Sequence, residues 1–473
     1  MYKRQSVAWR ACAKHPDYLS EVEGSTLAGR ALEPLPFDGR LLGGLFPLVR
    51  PPIPEFTVLG GMMVDRTDIN HLLSITRSWR SFRHATRLLL RHARDRLSHP
   101  RGTRLVMGNA LVARFLHSLS ARSNVTLALS TSVEALPREG GRVVAVTLGQ
   151  GGRTQRIAVR RGVVLASGGF NRHPQRRAEL LPGADLAWCP GAPGHTGAAQ
   201  DLALAAGARL GSGGAAHAFW APVSLRQRPD GTTAVFPHFV MDRAKPGMVT
   251  VDRTGRRFVN ESTTYHRIGH AMRADPQQRV PAFLVCDADA LRRHGLGMVR
   301  PGGKGLAPFL ADGYLVEARS LDELAGKLRI DPAGLKATVA AMNGYAAAGL
   351  DPEFGRGTTD YERHMGDASF GGANPNLGPI ASAPFYAVRL FPGDIGAATG
   401  LVTDDHARVL GEDDRPIAGL YACGNDMQSV MGGVYPGPGI TIGPGLVFAY
   451  IAIRDALGAA PAPSLPTSRE VTT

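Results

Sequence analysis

Residues Tyr435-Pro436-Gly437-Pro438-Gly439-Ile440-Thr441-Ile442-Gly443-Pro444-Gly445 run directly into the apolar segment Leu446-Val447-Phe448-Ala449-Tyr450-Ile451-Ala452-Ile453. Pro436 and Pro438 fix φ and remove backbone donors, while the four glycines let another molecule lie against bare backbone. The pattern predicts a loop feeding a helix. Pro444 suits the first helical turn, whose unpaired N–H groups face an anion or an electron-rich carbonyl. Just upstream, Gly419-Leu420-Tyr421-Ala422-Cys423-Gly424-Asn425-Asp426 reads as a short apolar strand ending in a glycine turn and two polar side chains. Together the two stretches predict a bound ligand; the alternative is that glycine and proline only punctuate loops.

Two further stretches carry chemistry. Gly162-Val163-Val164-Leu165-Ala166-Ser167-Gly168-Gly169 is an apolar strand ending in small residues, which brings backbone close to a ligand. Met248 to His266 reads as strand, turn, strand and helix cap, and contains Gly255-Arg256-Arg257-Phe258-Val259-Asn260-Glu261 with Tyr265 four residues beyond the glutamate. In this order the segments resemble the FAD-dependent superfamily of 3-ketosteroid dehydrogenases and fumarate reductase flavoproteins, and the YPGPG form is that of 3-ketosteroid Δ1-dehydrogenase. The resemblance implies an α/β fold with a discontinuous, Rossmann-like FAD-binding domain and an inserted α+β substrate domain. The expected division is 1–215 and 376–460 for the FAD-binding parts, 216–375 for the substrate domain, and a disordered tail at 461–473.

By the same resemblance, FAD is held by Ala166, Ser167, Gly168, Gly169, Gly424, Asn425, Asp426, Gly439, Ile440, Thr441 and Ile442. Tyr265 is the expected base, and the Tyr435 hydroxyl with the Gly439 N–H is expected to hold the carbonyl of a small lipophilic ketone. Tyr18 falls where steroid dehydrogenases place a further active-site tyrosine, although an exposed turn tyrosine is an equal reading. A phenol ordinarily ionises near pH ~10, so Tyr265 needs a neighbouring cation or hydrogen bond, for which His266, Arg267 and His238 are candidates. The implied reaction is 1,2-desaturation beside the carbonyl. The competing readings are Δ4 desaturation of a 3-keto-5α-steroid, an enoate or fumarate-type reduction, and an inactive fragment of a split flavoprotein. Dicarboxylate reductases carry a histidine in the strand that corresponds to Gly393–Leu401, and none stands there, which favours a neutral ketone. No motif names the electron acceptor.

One departure stands at the start. A strand, a G-x-G-x-x-G turn and a later acidic residue open flavoproteins of this kind, yet Met1-Tyr2-Lys3-Arg4-Gln5 leads straight to Ala11-Cys12-Ala13-Lys14-His15. The expectation is therefore a missing upstream FAD-binding segment, through a fragment, a misassigned start or a split gene.

Charge matters only locally. The net charge of +14 over 473 residues comes almost wholly from arginine, with lysine at six positions, a bias that a GC-rich coding sequence produces. No aromatic-interleaved basic motif points to nucleic acid. Between Arg77 and Arg104, however, nine arginines face a single acid, Asp95, on a stretch with a helical pattern from Asn70 to about Leu97. This is either a solvated helical face or a peripheral contact with an anionic membrane surface. Four scattered cysteines without CxxC or metal-ligand spacing fit a reducing cytoplasm. Asn124–Leu129 is expected to be a strand, and Gly141–Val159 a hairpin turning at Gln150-Gly151-Gly152.

Overall fold

The computed structural model describes residues 7–212, 214–239 and 242–458, so the expected tail at 461–473 lies outside the described residues. The chain divides into two compact units, one of 1–16 with 26–129 and one of 17–25 with 130–473. Among the described residues no helix is long and apolar enough to cross a membrane.

In the first unit the segment up to residue 63, interrupted by prolines and glycines, forms two- and three-residue strands, Trp9–Ala11 with Leu32–Pro34, Phe37–Asp38 with Arg104–Leu105, and Thr57–Val58 with Met62–Met63. The predicted helical stretch is two helices, Arg66–Leu73 and Trp79–Arg96. Asp65 and Asp68 form a reciprocal capping box at the start of the first helix, which fixes where that helix begins. A third helix, Met107–Ser120, packs Ala110 and Ala113 against Phe37, Leu42, Phe46, Val49 and Leu105. Residues 124–129 lie outside every strand. β-Branched content favours extended backbone, but a strand exists only where a neighbour completes its ladder.

The second unit contains the sheets that position the site. The expected hairpin is present as Ala145–Gln150 against Arg153–Ala158, with Gln150 opposite Arg153. Its two loop residues, Gly151 and Gly152, both have positive φ, 56° and 76°, the geometry of a two-residue turn that matches strand twist. Val163–Leu165 runs parallel to Pro416–Ala422, with Leu165 beside Ala422, so both strands end at the same edge. A separate antiparallel sheet is built on the 13-residue strand Phe385–Ala397. Its Phe391–Ala397 half pairs with Ala218–Val223, and its Phe385–Leu390 half pairs with Ala282–Asp287, with Val316–Ala318 on the opposite side of Phe385–Ala387.

Met248–Val251 is the strand expected before the GRRFVNE segment, but the second strand expected there is absent. The stretch is held by charge instead of by a ladder. Arg257 bonds both oxygens of Glu261 (2.9 and 2.8 Å) and both of Asp351 (3.0 and 2.8 Å). Arg356 reaches Glu261 at 3.2 Å and donates to the Met248 carbonyl at 2.6 Å. Glu261 also accepts the Thr250 N–H. Gly255, at φ 70°, fits against the helix Pro332–Ala348, where a Cβ would stand 2.3 Å from the Leu335 nitrogen. The segment then delivers Thr264, whose hydroxyl accepts the Arg267 N–H and caps the helix Tyr265–Ala274.

Burial works against ionisation at both sites, but Arg257 and Arg356 hold the Glu261 carboxyl, and Arg257 with the Arg356 and Phe354 N–H groups the Asp351 carboxyl, below their ordinary range. Their stabilising contribution is complete above the unfolded values, near pH ~4, and is lost as pH falls through the depressed folded values. Glu261→Gln should lower hydrogen-exchange protection of the Met248–Val251 amides by about 3 to 5 kcal/mol at neutral pH, with a smaller difference from wild type in acid.

Candidate functional site

The parallel strands Val163–Leu165 and Pro416–Ala422 bring two of the predicted segments to one edge, the position at which open α/β sheets hold ligands. Gly168 and Gly169 have φ of 99° and 87°, and a Cβ on Gly169 would lie 2.7 Å from the Asn425 carbonyl oxygen. Glycine is required there by both conformation and space. Asp426 is fully buried, and its carboxylate accepts the Ser167 N–H, the Ser167 hydroxyl (3.0 Å) and the Gly169 N–H (3.0 Å). It therefore clasps one strand end to the other, and its acceptor oxygens are turned to protein. Gln200 donates to the Asn425 and Asp426 carbonyls from behind.

The helix Ile442–Ala456 begins beside this edge, with no side-chain cap from Thr441. Gly424, φ 62°, has nothing within 4 Å of where a Cβ would stand, and a Cβ on Gly445 would lie 3.4 Å from the Gly424 Cα. A cleft lined by Ala397, Gly424, Asn425, Ile440, Thr441 and Pro444 joins the strand end to the helix start. An uncapped helix N-terminus facing open glycine backbone suits the electron-rich edge of a flavin or its phosphates. The residues present fit FAD.

Ile440 also belongs to a buried aromatic cluster. That cluster gathers Tyr18, Tyr265, Tyr361 and Tyr435, with Phe219 and Phe239 against them. Tyr18 and Tyr435 stack at 5.8 Å between ring centroids, Tyr265 meets Tyr435 edge-on at 5.0 Å, and Tyr18 lies 4.8 Å from Tyr361. The Tyr265 hydroxyl donates to the Tyr18 hydroxyl at 3.4 Å, and the Tyr18 N–H donates to the Pro436 carbonyl at 3.0 Å, which ties residue 18 to the YPGPG loop. Tyr18 is buried and is not an exposed turn residue. Gly439, φ 85°, lies in an open stretch of that loop.

Burial pushes the Tyr18, Tyr265, Tyr361 and Tyr435 hydroxyls above the usual phenol range. None of the three candidate cations from the sequence opposes it. His266 accepts the Trp220 N–H at Nδ1 and sets Nε2 against the Gly433 carbonyl at 3.0 Å and against His270, so it holds the loop two residues before Tyr435. Arg267 pairs with Glu21 at the surface. His238 is enclosed between Asp242 (2.6 Å) and Ser224 (2.8 Å). The cation is Arg243, which sequence reading passed over because nothing in Asp242-Arg243 marks it. Fully buried, its guanidinium donates to the carbonyls of His238, Phe239, Glu261 and Thr263, and its charge draws the Tyr361 and Tyr18 ionisations downward. Tyr361, in Asp360-Tyr361-Glu362, also carried no legible motif.

An FAD binding domain family model matches residues 4–442. The chain belongs to that family. It is 36% identical over 447 residues to a 4-oxocyclohex-2-ene-1-carboxylate 5-dehydrogenase of Sinomonas cyclohexanicum, across 93% of this chain and 75% of that protein. It is 34% identical to a 3-oxosteroid 1-dehydrogenase of Mycolicibacterium smegmatis, across 93% of this chain and 77% of that one. The crystal structure of 3-ketosteroid delta1-dehydrogenase from Sterolibacterium denitrificans, in complex with 1,4-androstadiene-3,17-dione, superposes with a TM-score of 0.87 at 34% identity, covering 96% of this chain and 81% of that one. The protein is thus an α/β FAD-dependent oxidoreductase of the dehydrogenases that act on CH–CH bonds, related to the 3-ketosteroid Δ1-dehydrogenases.

In this flavoprotein, burial, then the neighbouring His270, lowers the His266 pKa to about 4. An imidazole that stays neutral when folded and ionises near pH ~6.5 when unfolded costs stability as pH falls from the higher value to the lower, about 3 kcal/mol in total. The His266 ring-proton NMR resonance should titrate near pH 4, and urea resistance should decline over that interval less steeply in His266→Gln.

Proposed function

We propose that the protein desaturates a 3-ketosteroid-like cyclic ketone at the carbon pair next to its carbonyl. The observation that carries this reading is the Tyr265 hydroxyl donating to Tyr18 while its ring packs against Tyr435 of the YPGPG loop. Tyr435, through its hydroxyl, and Gly439, through its N–H, bind the carbonyl oxygen and stabilise the charge that develops there as the α-proton leaves, the stage at which preorganised donors contribute most. Tyr265 takes the α-proton at Oη as its own proton moves to Tyr18, which has first given up its hydroxyl proton towards solvent and so ends the step neutral. Arg243 eases that transfer by favouring negative charge on Tyr18 and Tyr361. FAD, when bound, supplies the hydride acceptor. Ala166, Ser167, Gly168 and Gly169 would hold it from one strand end, Gly424 and Asn425 from the other, and Gly439, Ile440, Thr441 and Ile442 from the helix start, with Asp426 fixing the two strand ends.

Four of the five Arg243 N–H groups are taken by backbone carbonyls, so this cation is committed to protein and not offered to a substrate carboxylate. That supports an uncharged ring at the reacting end over a dicarboxylate. The same proposal keeps 216–375 as the substrate portion inserted between FAD-binding portions 1–215 and 376–460, and places the protein in the cytoplasm, in accord with four free cysteines.

The test is anaerobic reduction of the FAD-loaded protein, followed as loss of the flavin band near ~450 nm, with a 3-ketosteroid, 4-oxocyclohexanecarboxylate and succinate offered separately. Bleaching by the steroid with a double bond at the 1,2 position is the expected result. Reduction by succinate alone would overturn the reading, and a 4,5 product would move it to the Δ4 class. Tyr265→Phe should lower kcat about 10²- to 10⁴-fold, and Tyr435→Phe about 10²- to 10³-fold, with FAD retained in both.

A further inference from the structure

The helix Trp79–Arg96 has two faces that the proposed chemistry does not use. Ser81, Ala85, Leu88, His92 and Asp95 are buried on one side, where His92 Nε2 meets the Leu59 carbonyl at 2.9 Å. On the opposite side Trp79, Phe82, Leu90 and Leu97 are 76, 45, 66 and 87% exposed. Their spacings of three, eight and seven residues place them in one line at 3.6 residues per turn, over about 27 Å of helix. The Trp79 and Phe82 rings stack on each other at 5.4 Å between centroids and 19° between planes. Arg80, Arg83, Arg87 and Arg94 are exposed along one flank of that line. The helix's one acid, Asp95, faces inward, where it accepts the N–H and hydroxyl of Thr103, both at 2.8 Å, and meets Arg91 at 4.0 Å, on the side away from the four exposed arginines.

A helix that merely faces water has no reason to set its large apolar side chains in a row opposite its buried face. We propose that this face lies on an anionic lipid bilayer. The four apolar side chains would enter the boundary between headgroups and acyl chains while the flanking arginines pair with phosphate and carboxylate headgroups. No helix among the described residues is long and apolar enough to span, so the contact is peripheral. Charge complementarity selects the occupant. A second copy would bring four like charges against four, and a nucleic acid would engage the arginines while leaving the tryptophan–leucine line in water.

The experiment uses the full chain loaded with FAD and sedimented with vesicles of phosphatidylcholine alone or with added phosphatidylserine. Binding is expected only with the anionic lipid and should weaken as salt rises. Arg83→Gln with Arg87→Gln should lower the partition coefficient about 30-fold, at roughly fivefold per basic residue. Trp79→Ser with Leu90→Ser should abolish the part of binding that survives high salt. Both pairs change exposed side chains only, and unchanged circular dichroism and flavin content verify the fold. Failure of wild type to sediment with anionic vesicles, or unchanged sedimentation of both double variants, overturns the proposal. Tight binding to duplex DNA without vesicle binding assigns the face to nucleic acid, and a dimer dispersed by Trp79→Ser assigns it to self-association; either result also overturns it.

Discussion

Everything around Tyr265 depends on a knot of buried charge. Arg257 and Arg356 converge on Glu261, and Asp351 closes the set on Arg257. The net Coulombic gain of such a group against desolvation is small, but losing one member leaves a charge that water cannot reach. The knot therefore specifies geometry more than it adds stability. It ties the strand Met248–Val251, through the Met248 carbonyl and the Thr250 N–H, to the turn that ends in the cap of the helix Tyr265–Ala274. That helix in turn aims Tyr265 inward and sets His266 against the loop leading to Tyr435. A segment with no ladder of its own is thus held as firmly as a strand, and the phenol at its end inherits that rigidity.

A second clasp works by the same logic with one charge in place of four. Asp426 takes two N–H groups and a hydroxyl from the turn after Val163–Leu165, and so sets the distance between two glycine-rich strand ends. Both clasps put ionised groups behind the working surface and leave backbone and phenols in front. Ile440 belongs to both the flavin-side cleft and the tyrosine cluster, so loop position is shared between them.

What the sequence made legible were the features in which backbone is the message. The YPGPG loop, the Ala-Ser-Gly-Gly turn and the Gly151-Gly152 hairpin were readable because glycine and proline state their conformations directly. The break between Arg66–Leu73 and Trp79–Arg96 was hidden by continuous helical periodicity, and 124–129 by β-branched residues whose pairing depends on what lies alongside. The GRRFVNE segment was recognised yet misread as a strand, since its order comes from Asp351 and Arg356, about a hundred residues away. Arg243 and Tyr361 were missed for a related reason. Their importance lies in a shared burial with Tyr18, and residues as far apart as 18 and 361 announce no neighbourhood in the chain.

The strand Phe385–Ala397 bears on how the molecule is made. Before it leaves the ribosome, Ala218–Gln227 can pair only with Thr233–Pro237, and Ala282–Asp287 only with Met248–Val251. Each of these hairpins keeps one apolar edge unsatisfied until residue 385 is reached, and such edges are templates for pairing with other chains. Closure is a single late event that joins both hairpins through one 13-residue strand. From residue 287 to residue 385 of its synthesis the nascent chain carries two open half-sheets, and a chaperone has its greatest purchase there.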